Sequence, residues 1–278
     1  MKLSFTKMQG CGNDYIVLGL FDKSGQALEF TESLAVSLTN RNYSIGGDGL
    51  VLILPSETAD AKMRMFNVNG SESKMCGNAI RCVAKYLYDN NIVKKTYMSI
   101  ETLSGCKNIE IKDTSTVKVD MGQAILNPQD IPVKIEGTSV ISKSIIIDNE
   151  EYNITCVSMG NPHAVIFCED VSKINLNHIG PLIEKNELFP EDTNVEFVQL
   201  VGDSLLKMRV WERGCGETLA CGTGACAAVV AAVLNGHCAK NEDITVQLTG
   251  GELFINYTDE TVTMTGSCEK SFEGTVEI

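Results

Sequence analysis

MRMFNVNGSESKMCG, residues 63–77, and MRVWERGCGETLACG, residues 208–222, are two versions of one segment. Aligned without a gap, Met63 meets Met208, Arg64 meets Arg209, Glu72 meets Glu217 and Cys76-Gly77 meets Cys221-Gly222, a constant offset of 145 (208 − 63). A second match lies upstream, Gly12-Asn13 against Gly160-Asn161, at an offset of 148 (160 − 12). The chain therefore reads as a duplicated unit in which each copy presents one cysteine. After each Cys-Gly the pattern turns helical. Ile80, Val83, Ala84 and Leu87 form one stripe over Gly77–Asn90, and Gly222–Leu234 is apolar on nearly every face, as a helix surrounded by protein should be.

Working outward, runs rich in Val, Ile, Thr and aromatics predict strands at 50–54, 98–102, 117–121, 144–147, 154–158, 164–167, 195–200, 206–211, 244–248, 253–257 and 261–265. Two further helices are expected, Thr31–Asn40 and, more weakly patterned, Ile183–Phe189. The fold class is α+β: two pseudo-symmetric, sheet-rich domains, each wrapped around a central helix that starts at a Cys-Gly, with an active site expected in the cleft between them. Gly122, Pro128 and Pro132 interrupt the pattern and mark the break. The expected domains are 1–121 with 267–278, and 122–266, the last strand (274–278) returning to the first half.

The 278 residues are 44% hydrophobic and 21% charged, a globular composition. The net charge of −13 leaves no basic stripe for phosphates or an anionic bilayer, so neither nucleic acid nor membrane is an expected partner. The opening MKLSFTKMQGCGND has no apolar core or cleavage site of a signal peptide, and the run from Ala225 to Leu234 is too short to span a bilayer. The cytoplasm is the expected compartment. The 11 cysteines form no Cys-x-x-Cys pair, and His163, His178 and His237 are scattered, so neither a disulfide framework nor a metal site is expected. Reduced thiols fit best, most of them small buried hydrophobes; Cys82, Cys226 and Cys238 are read as core.

Cys76 and Cys221 differ from the rest by standing at helix starts. There the macrodipole and unpaired N–H donors lower a thiol's pKa. The same donors, at Gly77-Asn78 and Gly222-Thr223, can hold a carboxylate. A carboxylate clamped between two such starts would expose its α-carbon to a thiolate on one face and a thiol on the other. That arrangement is a two-base racemase or epimerase. One cysteine removes the α-proton, the other returns one from the opposite side, and the donors stabilise the developing charge in a dry site. It calls for no cofactor.

The motifs GCGNDY (10–15), FNVNGSE (66–72), MCGNAIRC (75–82), SMGNPHAVIF (158–167), NVEFV (194–198) and WERGCGETLACGTGACAA (211–228) together resemble diaminopimelate epimerases over essentially the whole chain. The resemblance implies cofactor-independent epimerisation of LL-diaminopimelate to the meso form, in lysine and peptidoglycan precursor synthesis. It implies that Cys76 and Cys221 are base and acid, and that Gly77, Asn78, Gly222 and Thr223 hold the reacting carboxylate. Asn13, Asn67, Asn161, Asn194, Glu212 and Arg213 are implied substrate contacts, and His163 and Glu212 are implied to influence thiol ionisation. Arg213 suits a distal carboxylate because its guanidinium is a bidentate fork, and the asparagines offer donors and acceptors to a zwitterion. Family members are often dimers, so a homodimer acting on a small amino acid is expected. Ala79 stands where the family usually has Gly, Asn69 where it has Asp, and Gly49 where some members have a substrate-contacting Gln. Three alternatives stay open: the same reaction on another amino acid, a Cys-His hydrolase or transferase using His163, and a thiol redox sensor.

Overall fold

The computed structural model describes residues 2–21 and 32–278. The chain divides into two compact units, residues 1–119 with 265–278, and residues 120–264.

In the first unit the strands are β1 (Lys2–Gly10), β2 (Asn13–Gly19), β3 (Gly49–Leu54), β4 (Ala61–Asn67), β5 (Glu72–Ser73), β6 (Tyr97–Thr102), β7 (Gly105–Ile111) and β8 (Thr116–Gly122), the last running on into the second unit. The helices are α1 (Glu32–Thr39) and α2 (Gly77–Asp89). The neighbours run β1, β2, β3, β4, β6, β7, β8, with parallel joins at β2–β3 and β4–β6 and antiparallel pairing elsewhere. The short β5 pairs with the end of β4. α2 packs against β1, β2, β3, β4, β6 and β7, so the sheet curls around it. Its Ile80, Val83 and Leu87 are fully buried, each contributing about 1.5–3 kcal/mol.

The second unit repeats this plan. Its strands are β9 (Val140–Ile147), β10 (Glu150–Ser158), β11 (Pro162–Phe167), β12 (Asn194–Gly202), β13 (Leu205–Glu212), β14 (Gly216–Thr218), β15 (Asp243–Leu248), β16 (Gly251–Tyr257) and β17 (Val262–Ser267), which runs back towards the first unit. The helices are α3 (Leu176–Glu184) and α4 (Gly222–Leu234). Parallel joins fall at β11–β12 and β13–β15, the counterparts of those in the first unit. The short β14 pairs with the end of β13 as β5 does with β4. α4 packs against β10, β11, β12, β13, β15 and β16. Ten of its residues are buried, which explains its uniform apolarity. The final strand, β18 (Glu269–Glu277), pairs antiparallel with β1 and begins five residues before the apolar pattern of 274–278.

Three features depart from the sequence patterning. The expected helix Ile183–Phe189 is instead α3, which runs through Pro181 and ends at Glu184. Its position is set by Trp211. A side chain on Gly180 would stand 2.6 Å from the indole carbons, and Trp211 Nε1 donates to Glu184 Oε2 at 2.6 Å. β1, β2, β4, β7 and the short β5 and β14 lie outside the apolar runs. β1 hides its alternation because Lys7 is buried against Asp14 at 2.7 Å. Cys238, expected in the core, is half-buried, while Cys82 and Cys226 are fully buried. The expected start of the first helix at Thr31 lies outside the described residues; α1 begins at Glu32.

Candidate active site

Each Cys-Gly is delivered to its helix by the same device. The β4–β5 hairpin is clamped by Arg64, whose Nε and Nη2 donate to the two carboxylate oxygens of Glu72 at 2.7 and 3.0 Å. The β13–β14 hairpin carries the matching pair, Arg209 to Glu217 at 2.8 and 3.0 Å. Cys76 and Cys221 then occupy the N-cap positions of α2 and α4 with extended backbone, φ −137° and −118°. The repeated Arg and Glu are thus an architectural pair, planar and bidentate, and were visible in the sequence only as markers of the repeat.

In the second unit the residues singled out from sequence come together around Cys221. Its Sγ, almost fully buried, accepts from Gly224 N at 3.3 Å and lies 3.4 Å from Thr223 Oγ1. Asn161 Nδ2 donates to Thr223 Oγ1 at 3.3 Å, and Asn161 Oδ1 lies 3.1 Å from His163 Nε2. Asn161 is presented by the turn between β10 and β11, where Gly160 has φ +98°, a region open to glycine. Glu212, at the end of β13, accepts from Thr218 Oγ1 at 2.5 Å and shares a hydrogen bond with Cys221. Desolvation pushes the Glu212 carboxyl pKa up, against those two hydrogen bonds.

The thiol of Cys221 corrects one expectation. The helix start was expected to lower its pKa; burial, followed by the charges of Glu212 and Glu196, pushes it well above the ordinary thiol range. The donors at Thr223 and Gly224 act in the expected direction and are outweighed. Burial and the two neighbouring carboxylates thus favour the neutral thiol at Cys221.

Asn194 and Arg213 lie together at one corner. Asn194, buried at the start of β12, donates from Nδ2 to Pro162 O at 2.8 Å and accepts from Arg213 N at 3.0 Å. Its amide therefore braces backbone. Glu184 Oε1 accepts from Gly214 N at 2.8 Å and holds the same corner from α3. The exposed Arg213 side chain donates to Glu191 O at 2.7 Å, and no carboxylate among the described residues pairs with it.

In the first unit Gly77 and Asn78 are buried in the first turn of α2, and Cys76 is half-buried. Its Sγ lies 3.3 Å from Tyr15 Oη, a contact not anticipated from the sequence. Asn13 begins β2 directly after a two-residue turn in which Cys11 and Gly12 both have positive φ, +53° and +82°. Asn67 ends β4, and its Nδ2 donates to Ser71 Oγ at 3.0 Å. Strand register places Tyr15, Gly49 and Asn67 in one row across β2, β3 and β4. In the second unit His163 and Asn194 share the corresponding row, and Glu212 follows Trp211, the partner of Val195.

Sequence reasoning assigned no role to Glu196, although a charge inside the apolar NVEFV run was a visible signal. It is fully buried, and its Oε1 lies 2.7 Å from His163 Nδ1. Among the described residues no group of three or more His, Cys, Asp or Glu is placed to hold a metal ion, and no helix is long and apolar enough to cross a membrane.

Comparison with known proteins places this geometry. The diaminopimelate epimerase family model matches residues 5–127 and 155–271. The diaminopimelate epimerase of Methanococcus maripaludis strain C5 is 51% identical over 282 aligned residues, covering 99% of this chain and 100% of the relative. That of Acetivibrio thermocellus is 49% identical, with 99% of each covered. Among solved structures, a probable proline racemase from Agrobacterium radiobacter K84 (TM-score 0.72, 15% identity, 99% and 92% covered) and a Bacillus anthracis protein of the PhzF family (0.69, 15%, 100% of both) share the fold. With its family-model match in both halves and about half its residues shared with curated members over their full length, the chain belongs to the diaminopimelate epimerase family.

Proposed function

We propose that the chain interconverts LL- and meso-diaminopimelate by exchanging the α-proton between Cys76 and Cys221, as a step of lysine and peptidoglycan precursor synthesis. The observation that carries this reading is the pair of matching cysteines, each at the N-cap of a helix and followed by a glycine in its first turn. The backbone N–H groups of Gly77, Asn78, Gly222 and Thr223 hold the reacting carboxylate. The reaction requires both thiols to address opposite faces of one α-carbon. Cys76 as thiolate abstracts from one face while the Cys221 thiol donates to the other; the reverse reaction exchanges the roles. Developing negative charge is met by the backbone donors rather than by water.

Arg213 takes the distal carboxylate, because it is exposed and without a carboxylate partner among the described residues. Asn13, Asn67, Asn161 and Glu212 serve the ammonium groups and the substrate backbone. Asn194 acts by holding the corner that carries Arg213. The acid and base both come from the chain, so the mechanism asks for no cofactor. The protein acts in the cytoplasm and as a homodimer.

A Cys-His hydrolase fits less well. Both ring nitrogens of His163 are engaged, by Glu196 and by Asn161, so the ring does not face a cysteine as a general base. The test is α-deuterium incorporation in D₂O under reducing conditions across a panel of amino acids. Diaminopimelate is expected to exchange. Exchange of another amino acid with none of diaminopimelate would overturn the substrate assignment.

A further inference from the structure

Glu196 is buried at a cost that its place in the fold does not require. Its residue is 0% exposed, its Oε1 meets His163 Nδ1 at 2.7 Å, and its Oε2 has no hydrogen-bond partner among the described residues. A buried carboxylate with one oxygen unpaired is expensive. The repeat supplies a control. In register, Glu196 stands two residues beyond Asn194, which pairs with His163. The matching place in the first unit, two beyond Gly49 opposite Tyr15, is Val51. Val51 is likewise 0% exposed, so the fold accepts an apolar residue there. Room for the carboxylate is made by Gly224 in the first turn of α4. A Cβ on that residue would lie 2.6 Å from Glu196 Oε1 and 3.3 Å from Cys221 Sγ. The first unit has Ala79 at the matching place.

We propose that Glu196 is a positioning residue of the Cys221 half-site, holding His163 and, through it, the hydrogen-bond chain that ends on the cysteine sulfur. The inference rests on the epimerase reading above. The chain runs from Glu196 Oε1 to His163 Nδ1 at 2.7 Å, and from His163 Nε2 to Asn161 Oδ1 at 3.1 Å. It continues from Asn161 Nδ2 to Thr223 Oγ1 at 3.3 Å and from Thr223 Oγ1 to Cys221 Sγ at 3.4 Å. The Glu196 carboxylate and Asn161 Oδ1 can both only accept, so Nδ1–H and Nε2–H are the donors and the ring is held between two acceptors. Thr223 Oγ1 accepts from Asn161, which leaves its own proton for the sulfur. Gly224 N–H donates to the same sulfur at 3.3 Å. The donors thus converge on Cys221 and favour thiolate, while burial and the carboxylates favour thiol. A cysteine that must be acid in one direction and base in the other needs such opposed influences. The other titratable groups facing this chain are Glu212 from β13 and Cys156 from β10, whose thiol feels the Glu196 charge.

The experiment compares wild type, Glu196→Gln and Glu196→Val by three readouts: diaminopimelate epimerisation against pH, far-UV circular dichroism, and the imidazole ¹H–¹⁵N spectrum. The expected result is a kcat lower by about 10–100-fold with KM changed by less than about threefold, and a displaced pH profile of kcat/KM. Glu196→Val, which copies the first unit, is expected to fold. In wild type a slowly exchanging, strongly downfield Nδ1 proton of His163 is expected, lost in both variants. A folded Glu196→Gln with kcat within about twofold of wild type and an unmoved pH profile would overturn the proposal. So would the absence of the downfield proton in wild type, which decides the matter even if both variants fail to fold. Failure of the wild type itself to exchange the α-proton of diaminopimelate would instead strike the functional reading, and leave the spectrum to judge Glu196.

Discussion

The Cys76 and Cys221 half-sites share one backbone plan and carry opposite buried charges. Tyr15 stands where the second unit has His163, Gly49 where it has Asn194, Val51 where it has Glu196, and Asn67 where it has Glu212. On the helix the substitution runs the other way. Arg81, fully buried, matches Cys226 in α4. Its guanidinium donates to Gly77 O at 3.1 Å, Ser267 O at 3.4 Å and Cys11 Sγ at 3.4 Å. The fixed charge nearest the helix start is therefore positive in the first unit, while two carboxylates lie near Cys221 in the second. A duplicated fold keeps its strand register because register is set by backbone pairing and by which face is buried. Charge at a buried position is free to diverge once each copy finds its own partners.

The sharpest way to break the comparison is to remove one thiol at a time. Cys76→Ala and Cys221→Ala are each expected to lower epimerisation by at least about 10³-fold, because each removes one of two proton-transfer groups. An initial-rate assay in both directions checks this. A variant retaining more than a tenth of wild-type activity would show that one cysteine suffices.

Gly224→Ala writes the first unit's Ala79 into the second. Its Cβ meets Glu196 and Cys221, so activity is expected to fall on the order of 10-fold and stability by about 1–3 kcal/mol. Denaturant unfolding and kcat measure the two parts. Full activity in this variant would mean that Glu196 and Gly224 are not matched to each other.

Glu212→Gln tests the electrostatics of Cys221. Removing a negative neighbour lowers the thiol pKa, so alkylation of Cys221 at pH 8 is expected to speed up severalfold, on the order of 3–10-fold. Peptide mass spectrometry reads this against the exposed Cys106 and Cys215 as internal references. In the wild type the sign for stability follows from the same shift. The folded-state pKa of Cys221 lies above that of the unfolded chain, so this contribution is complete below the ordinary thiol range. It is lost as pH rises through the folded value. Cys156, pushed up to about 12 by burial, adds to this alkaline loss.

The smallest effect is expected at the hairpin clamps. Arg64→Met and Arg209→Met should each destabilise by about 0.5–2 kcal/mol. The loss should be greater for Arg209, whose Nη1 also donates to Val171 O and Ile174 O at 2.9 Å. Paired thermal melts of the two variants check the order.

Much of this was legible in the chain itself. The repeat at a constant offset, the helices starting at Gly77 and Gly222, and most strand positions follow from apolar periodicity, which reports only whether a local face is buried. The same logic misplaced α3, because a proline normally ends a helical pattern, whereas here Gly180 tucks under Trp211 and Glu184 bonds the indole. It also passed over β1, where a buried Lys7 finds Asp14.

The two N-cap cysteines, proposed above as the proton-transfer pair, were marked by sequence alone, since a helix start and a duplicated Cys-Gly are properties of local sequence. Their surroundings were decided by tertiary structure. Tyr15 reaches Cys76 across 61 positions of chain, and His163 reaches Glu196 across 33. The pKa of Cys221 moved opposite to the expectation from its helix start, because burial and nearby carboxylates outweigh two donors. Local pattern encodes which side chains turn inward; only the pairing of distant strands determines which inward-facing groups meet, and electrostatics depends on that meeting.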